Sequence, residues 1–308
     1  MQTDTSEQRK GVLFALSAYG MWGLFPIYFK SVAAVSPLEI LSHRIVWSVI
    51  FMALFILASG RWQVLLENLR QKKLLACLGA SAILISINWG VFIWAVGQGH
   101  ILETSMGYFI NPLVSLLLGM IFLGERLRKV QWIAICLAVA GVAYQLILLG
   151  NLPWVALVLA CSFGTYGLLR KQIVIDPFSG LLIETLLLSP FALVYLFWLQ
   201  QHDQLIFLTA NITTSWLLVA GGIVTSLPLI CFAAGVKRLP LTVNGLLMYI
   251  TPSITFILAV VVYDEPMNLN RLVTFALIWS GLIIFTVEGI WRARNTPDIL
   301  LEPTVAVK

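Results

Sequence analysis

A charged residue stands two turns inside each of two apolar runs long enough to cross a bilayer: Arg44, in the stretch from Pro37 to Ser59, and Glu184, in the stretch from Pro177 to Leu199. Holding an ionised side chain near mid-membrane costs on the order of 3 kcal/mol, less if it snorkels to the interface, so each is kept for a reason or escapes. Arg44 could attract the anionic group of a substrate, and Glu184 could carry a coupling proton. For each, pairing with backbone carbonyls is the structural alternative. At 1.5 Å per residue both lie roughly 10 Å from the end at which their run enters the membrane.

Uncharged polar residues form a second constellation. Thr104, Tyr108, Asn111 and Ser115 recur at i, i+4, i+7 and i+11, a single stripe on an otherwise apolar helix. Adding 140 gives Asn244, Met248, Thr251 and Thr255, polar at three of the four positions. Such stripes face protein or a water-filled cavity, since lipid would leave their donors unpaired; interhelical hydrogen bonding is the competing reading. Pro112 and Pro252 lie beside the stripes, each freeing the carbonyl four residues earlier, and are candidate hinges. Asn88 and Trp89 sit mid-run with Ser86, Phe92 and Trp94. Together with Trp22, Tyr19, Tyr166 and Tyr249, Trp89 could wall a pocket for a planar or cationic metabolite, although packing accounts equally for any one aromatic. The candidate substrate-binding set is therefore Trp22, Arg44, Asn88, Trp89, Tyr108, Asn111, Asn244, Tyr249 and Thr251, with Glu184 as the coupling residue.

The elements that must position these residues follow from composition. Of 308 residues 60% are apolar and 11% charged, with a mean hydropathy of +0.94, so lipid is the solvent for most of the chain. The apolar runs are continuous rather than alternating, which selects an all-α membrane fold over a barrel. Ten transmembrane helices are expected near 11–29, 37–59, 74–97, 104–123, 130–149, 152–169, 177–199, 214–236, 241–262 and 270–290. The first run resembles the start of a secretory signal but lacks a small-residue cleavage site, and it is read as the first helix. Sixteen of the nineteen Lys and Arg residues fall on one side of this arrangement. The positive-inside rule then puts both termini in the cytoplasm. The basic excess reports topology and anionic lipid headgroups as partners, and makes no case for nucleic acid.

The chain also matches itself at an offset of 140 residues, through pairs such as Ser86 and Ser226, Phe92 and Phe232, Pro112 and Pro252, Glu125 and Glu265, and Gly141 and Gly281. The expected organisation is a polar tail at 1–10, two five-helix repeats at 11–150 and 151–290, and a polar tail at 291–308. An odd helix count inverts one repeat relative to the other, an architecture recurrent in transporters with the substrate between the halves. Glu125 and Glu265 are expected to complement the N-termini of the fifth and tenth helices. Gly20, Gly23, Ala134, Ala138 and Gly141 are expected to form close-packing faces. Four cysteines without pairing motifs imply neither a metal site nor a disulfide framework, and no phosphate loop or H-E-x-x-H motif occurs, so no cofactor, metal or catalytic residue is assigned.

Several segments carry a resemblance to a known family: Ser42-His43-Arg44, the run NWGVFIWAVGQGH from Asn88, the run GYFINPLVSLLLG from Gly107, and Gly124-Glu125-Arg126 with Gly141. With the weaker counterparts Thr251-Pro252, Asp264-Glu265-Pro266 and Gly281, the chain resembles the drug/metabolite transporter superfamily, EamA type, and most closely its RarD branch. The resemblance implies ten helices in two inverted repeats acting as an inner-membrane permease. It identifies no substrate: the branch was named through chloramphenicol sensitivity, while related members look like exporters of amino acids or other metabolites. The expected function is secondary active transport, as export of a small amphipathic metabolite or drug, coupled in one version to protons. A channel-like facilitator, an intramembrane enzyme and a permease subunit of a larger complex are the alternatives, and the oligomeric state is open.

Overall fold

Apolar backbone in lipid must satisfy its own N–H and C=O groups, and the helix does so within a single segment. The computed structural model describes residues 5–98, 101–150, 154–209, 211–263 and 269–295, and among these the apolar runs are all helical. They form ten rods: α1 (Thr5–Gly23) with α2 (Phe25–Ser31), α3 (Pro37–Ala58), α5 (Lys72–Gly97), α6 (Ile101–Leu123), α7 (Lys129–Leu149), α8 (Trp154–Gln172), α9 (Pro177–Gln201), α10 (Ile212–Arg238), α11 (Leu241–Leu247) with α12 (Ile250–Ile257) and a π-helical turn (Leu258–Val262), and α13 (Leu269–Asn295). Among the described residues eight rods are long and apolar enough to cross a membrane on composition alone, and α13 adds the apolar stretch Leu272–Glu288. The short helix α4 (Trp62–Leu69), which the sequence did not predict, links α3 to α5. It buries Leu65 and leaves Trp62, Val64, Leu66 and Leu69 exposed, as a helix lying along a membrane surface would.

The packing follows the repeat. Numbering the rods one to ten, rod one packs on eight and three on six, rod two on eight and seven on three, rod four on six and nine on one. Rods five and ten, four and nine, and two and seven pack on each other. Every one of these contacts maps onto itself or its mate when five is added to each rod number, which is the signature of a two-fold relation between the halves. Matched caps start matched rods: Ser36 accepts from the Glu39 amide before Pro37, and Asp176 accepts from the Phe178 and Ser179 amides before Pro177. A side-chain acceptor at the N-cap and a proline in the first turn, which needs no donor there, fix both entry points.

Glycines set the closest approaches. A Cβ on Gly222 of α10 would lie 2.5 Å from the Trp47 backbone of α3, and one on Gly281 of α13 would lie 2.6 Å from the Ala134 carbonyl oxygen of α7. Gly141 and Gly23 likewise abut Thr274 and Ile254. Gly20 departs from the expectation, since nothing lies within 4 Å of the Cβ position; it faces away from the packed side of α1.

The two halves differ where their helices break. Pro252 cannot donate to the Met248 carbonyl, which instead accepts from the Thr251 amide at 3.1 Å, and the ninth rod divides into α11 and α12 there. Its counterpart Pro112 is carried inside an unbroken α6. The first rod breaks at Leu24, two residues before Pro26, a break that hydropathy alone does not signal. That first rod also starts at Thr5 rather than residue 11, because Glu7 bonds Lys10 one turn on and Arg238 of α10.

Two charged residues lie elsewhere than expected. Arg170, counted with the loop cations, is 1% exposed and pairs with Glu184. Glu125 does not serve the fifth rod. Its carboxylate accepts from the Leu241 and Thr242 amides at 2.6 and 2.7 Å, across the molecule at the start of α11, where four amides lack helical partners and the helix dipole favours a negative charge. Glu265 lies outside the described residues.

Candidate functional site

Arg44 reaches from α3 toward α10, where its Nε donates to Thr225 Oγ1 at 2.7 Å; the Thr225 hydroxyl in turn donates to the Gly221 carbonyl one turn earlier at 2.7 Å. Three aromatic rings surround the guanidinium, with centroids 5.8 Å (Phe25), 5.4 Å (Phe29) and 5.5 Å (Trp89) away. Tyr28 donates to the Leu217 carbonyl at 3.1 Å, and its hydroxyl and the Arg44 stem both crowd Gly221, where a Cβ would lie 2.6 and 3.1 Å from them. The phenols of Tyr28 and Tyr108 are within electrostatic range of the cation, and Tyr108 is edged by Phe92. Arg44 is only half-buried and Tyr108 is 44% exposed, so this niche of rods one, two, three, four and eight is open.

The niche follows from local sequence. Pro26 ends α1 and starts α2, and the spacing Phe25, Tyr28, Phe29 places three rings on one side of the new helix, toward α3. Gly221, without a side chain, lets Tyr28 and Arg44 approach α10. Guanidinium over ring faces is favourable by about 0.5–2 kcal/mol per ring, which helps hold the cation in an apolar setting. Among the described residues Arg44 has no carboxylate partner and one hydrogen bond. Its two terminal nitrogens remain available, in the planar fork that matches a carboxylate or phosphate.

Glu184, at the repeat-equivalent position of α9, is placed the opposite way. It is 2% exposed, accepts from Ser81 of α5 and from Tyr166 at 3.3 Å, and faces the Arg170 guanidinium at 3.4 Å. Gly180 leaves the space that Arg170 fills. Each of the two charges thus sits where a second rod of one half meets a third rod of the other, with a hydroxyl partner in both cases. One charge is neutralised within the protein and the other is not.

The remaining predicted residues divide. Trp89 and Tyr108 join Arg44. Trp22 packs instead with Tyr19, Phe163 and Phe232, at centroid distances of 5.8, 5.5 and 5.7 Å, and Tyr166 stacks on Phe232 in the same cluster. Tyr249 lies elsewhere, fully buried, its hydroxyl on the Phe109 carbonyl. The expected single pocket of aromatics is therefore split, and the rings that do converge enclose a protein cation rather than space for a cationic metabolite. Asn88 bonds the Leu159 carbonyl and Ser162 of α8 at 2.9 and 3.0 Å. Asn244 donates to the Tyr19 hydroxyl at 2.6 Å, and Thr251 to the Tyr19 carbonyl at 3.0 Å. These are bonds that join helices. On the fourth rod Thr104, Asn111 and Ser115 are buried and Tyr108 alone opens outward; the side-chain oxygens of Asn111 and Asn244 are buried without a donor. Sequence reasoning missed Phe25, Tyr28 and Phe29; the proline between Phe25 and Tyr28 was the available signal.

Ten helical rods in two-fold related halves, with an unneutralised charge in an aromatic niche where the halves meet, define a polytopic membrane transporter by architecture. Comparison with known proteins agrees: residues 9–147 and 152–287 each match the EamA-like transporter family, and the chain belongs to that family. It is 45% identical over 293 residues to Protein RarD of Escherichia coli (strain K12), covering 95% of this chain and 99% of that one. It is 47% identical over 290 residues to an uncharacterized transporter of Vibrio cholerae, covering 94% and 96%. A chloramphenicol-sensitive protein RarD of Pseudomonas aeruginosa is 34% identical over 280 residues, covering 89% and 93%. The chain is thus a RarD-like member of the drug/metabolite transporter superfamily. A solved crystal structure superposes with a TM-score of 0.66 over 93% of this chain and 98% of its own, at 18% identity, a likeness of fold.

Proposed function

We propose that this protein is a secondary active transporter of the bacterial cytoplasmic membrane, working by alternating access between its two halves, and that its substrate carries an anionic group on an apolar or aromatic body. The unneutralised guanidinium of Arg44 supports this reading most directly. A cation kept near mid-membrane without a counter-ion binds one from outside, and the open edge beside Trp89 and Tyr108 offers apolar contact to the rest of the ligand. The Lys and Arg excess orients both termini to the cytoplasm. Links between the halves support a closed cytoplasmic side: Glu7 to Arg238 at 2.8 Å, Arg128 to Glu288 at 3.5 Å, Glu125 to the start of α11, and Lys171 to Glu125 at 4.0 Å. Export is the direction the family resemblance favours. Because Glu184 has Arg170 as counter-ion and three side-chain donors, a structural role suits it better than carrying the coupling proton.

A thermal-shift screen of the purified protein tests the substrate class, since ligand binding raises apparent stability by mass action. Amino acids, nucleosides, aromatic carboxylates, polyamines and chloramphenicol form the panel. Stabilisation by apolar or aromatic carboxylates, lost in Trp89→Ala, is expected. Stabilisation by polyamines alone would overturn the anionic reading.

A further inference from the structure

Above Arg44, toward the side opposite the basic loops, the first two turns of α3 hold an acid and a base that the substrate niche does not use. Glu39 is fully buried and His43 is 4% exposed. They lie one turn apart, Glu39 Oε1 and His43 Nε2 being 3.9 Å from each other. Glu39 Oε1 also accepts the Ile206 and Phe207 amides of the α9–α10 loop at 2.9 and 3.1 Å, and the Phe207 ring covers His43 at 4.6 Å. The other carboxylate oxygen, His43 Nε2 and, a turn deeper, Trp47 Nε1 are all buried without a hydrogen-bond partner. Three orphaned polar atoms on one helix face, at i, i+4 and i+8, are costly unless something satisfies them.

We infer that Glu39 and His43 form a proton-binding site reached from the outer side, one proton being shared between carboxylate and imidazole. Without the proton the pair carries one net negative charge, buried with no cation paired to it among the described residues, whichever ring nitrogen bears the imidazole's own hydrogen. Adding one H⁺, on either partner, allows a charge-assisted hydrogen bond that satisfies both and leaves the pair neutral, which a buried site favours. No bond other than that to the proton is made or broken.

The surroundings leave this exchange to the pair. On α3 itself Arg44 is directed to Thr225. From α2, Tyr28 is engaged with the Leu217 carbonyl. The loop contributes His202 and Asp203 at its exposed beginning. The near part of α10 contributes Ser215, which accepts from the Leu208 amide. Among the described residues no other acid or base pairs with Glu39 or His43. The role of this proton in driving transport rests on the transporter reading above; its existence does not.

Histidine-labelled NMR of the purified full-length protein tests the site without a substrate. The chain has three histidines, His43, His100 and His202, so His43→Asn assigns the resonance. The His43 ring resonances are expected to shift in one step with pH as the pair takes up its proton, and Glu39→Gln is expected to lower the midpoint of that step by at least about one unit, because the neighbouring carboxylate favours the added proton. Gln keeps an acceptor for the two loop amides, so a purely structural Glu39 would leave the His43 titration where it was. An unchanged midpoint in Glu39→Gln, with His202 as internal control for folding, would overturn the proposal. So would wild-type His43 ring resonances that do not move with pH between about 4 and 9, since a proton on either partner shifts them, a result that decides the matter even if the variant does not fold.

Discussion

Replacing Arg44 by Gln should separate ligand binding from folding. In the niche the guanidinium offers two free terminal nitrogens to an anionic group, and a hydrogen bond to a charged partner is worth about 1.5–3 kcal/mol. A loss of about 2 kcal/mol weakens binding roughly thirtyfold. A ligand supplied at a hundred times its dissociation constant stabilises the native protein by about 2.7 kcal/mol, and at thirtyfold lower affinity the same concentration supplies only about 0.9 kcal/mol, a third of the effect. The unliganded protein behaves differently. Removing a charge from mid-membrane recovers about 2.5–3.5 kcal/mol, against which stand the Thr225 bond and contacts with three aromatic faces, so apparent stability without ligand should change little. The assay is a thermal-shift titration of both proteins with the best carboxylate from the screen. Equal ligand-induced shifts in the two would refute the assignment of Arg44 to the substrate. A large loss of stability without ligand would show that the residue pins α3 to α10.

Three further outcomes follow from the packing. Arg170→Ala, which strands Glu184 among apolar helices, should destabilise the protein by about 3–5 kcal/mol, read as loss of monodisperse protein in size exclusion; the double variant Arg170→Met with Glu184→Leu should recover much of it. Gly222→Ala, which puts a methyl 2.5 Å from the Trp47 backbone, should cost about 1–3 kcal/mol by overpacking, and a variant as thermostable as wild type would contradict the observed contact between α3 and α10. Glu125→Ala, leaving two amides of α11 without an acceptor, should lower stability by about 1–3 kcal/mol, whereas Glu125→Gln should retain part of the cap.

How much the sequence disclosed can be traced residue by residue. Arg44 and Glu184 are visible because a charge in a continuous apolar run is costly and must be paired or used, and the 140-residue offset of the repeat relates one to the other. Arg170 is not visible as the counter-ion. It stands beside Lys171 at the end of a run, where a basic pair reads as a loop, and only the space left by Gly180 beside Glu184 shows that it turns inward. The helices are legible from hydropathy, but their breaks are not. Pro112 and Pro252 are equivalent in sequence, yet α6 carries its proline unbroken and the ninth rod divides, an outcome set by neighbours rather than by the proline. The aromatic wall of the niche escapes for the same reason, since Phe25, Tyr28 and Phe29 face Arg44 only once the chain has bent at Leu24. The polar residues Asn88, Asn244 and Thr251 face protein, and their partners on α8 and α1 join helices, a choice that spacing along one helix does not determine.

Counterflow in liposomes containing only the purified protein tests the central claim most directly. With the ligand identified by thermal shift loaded inside, and no nucleotide present, labelled ligand outside should enter transiently above equilibrium with saturable kinetics, as a carrier that exposes one site to each side alternately requires. Flux that rises linearly with concentration and gains nothing from internal ligand would contradict alternating access and leave a passive facilitator.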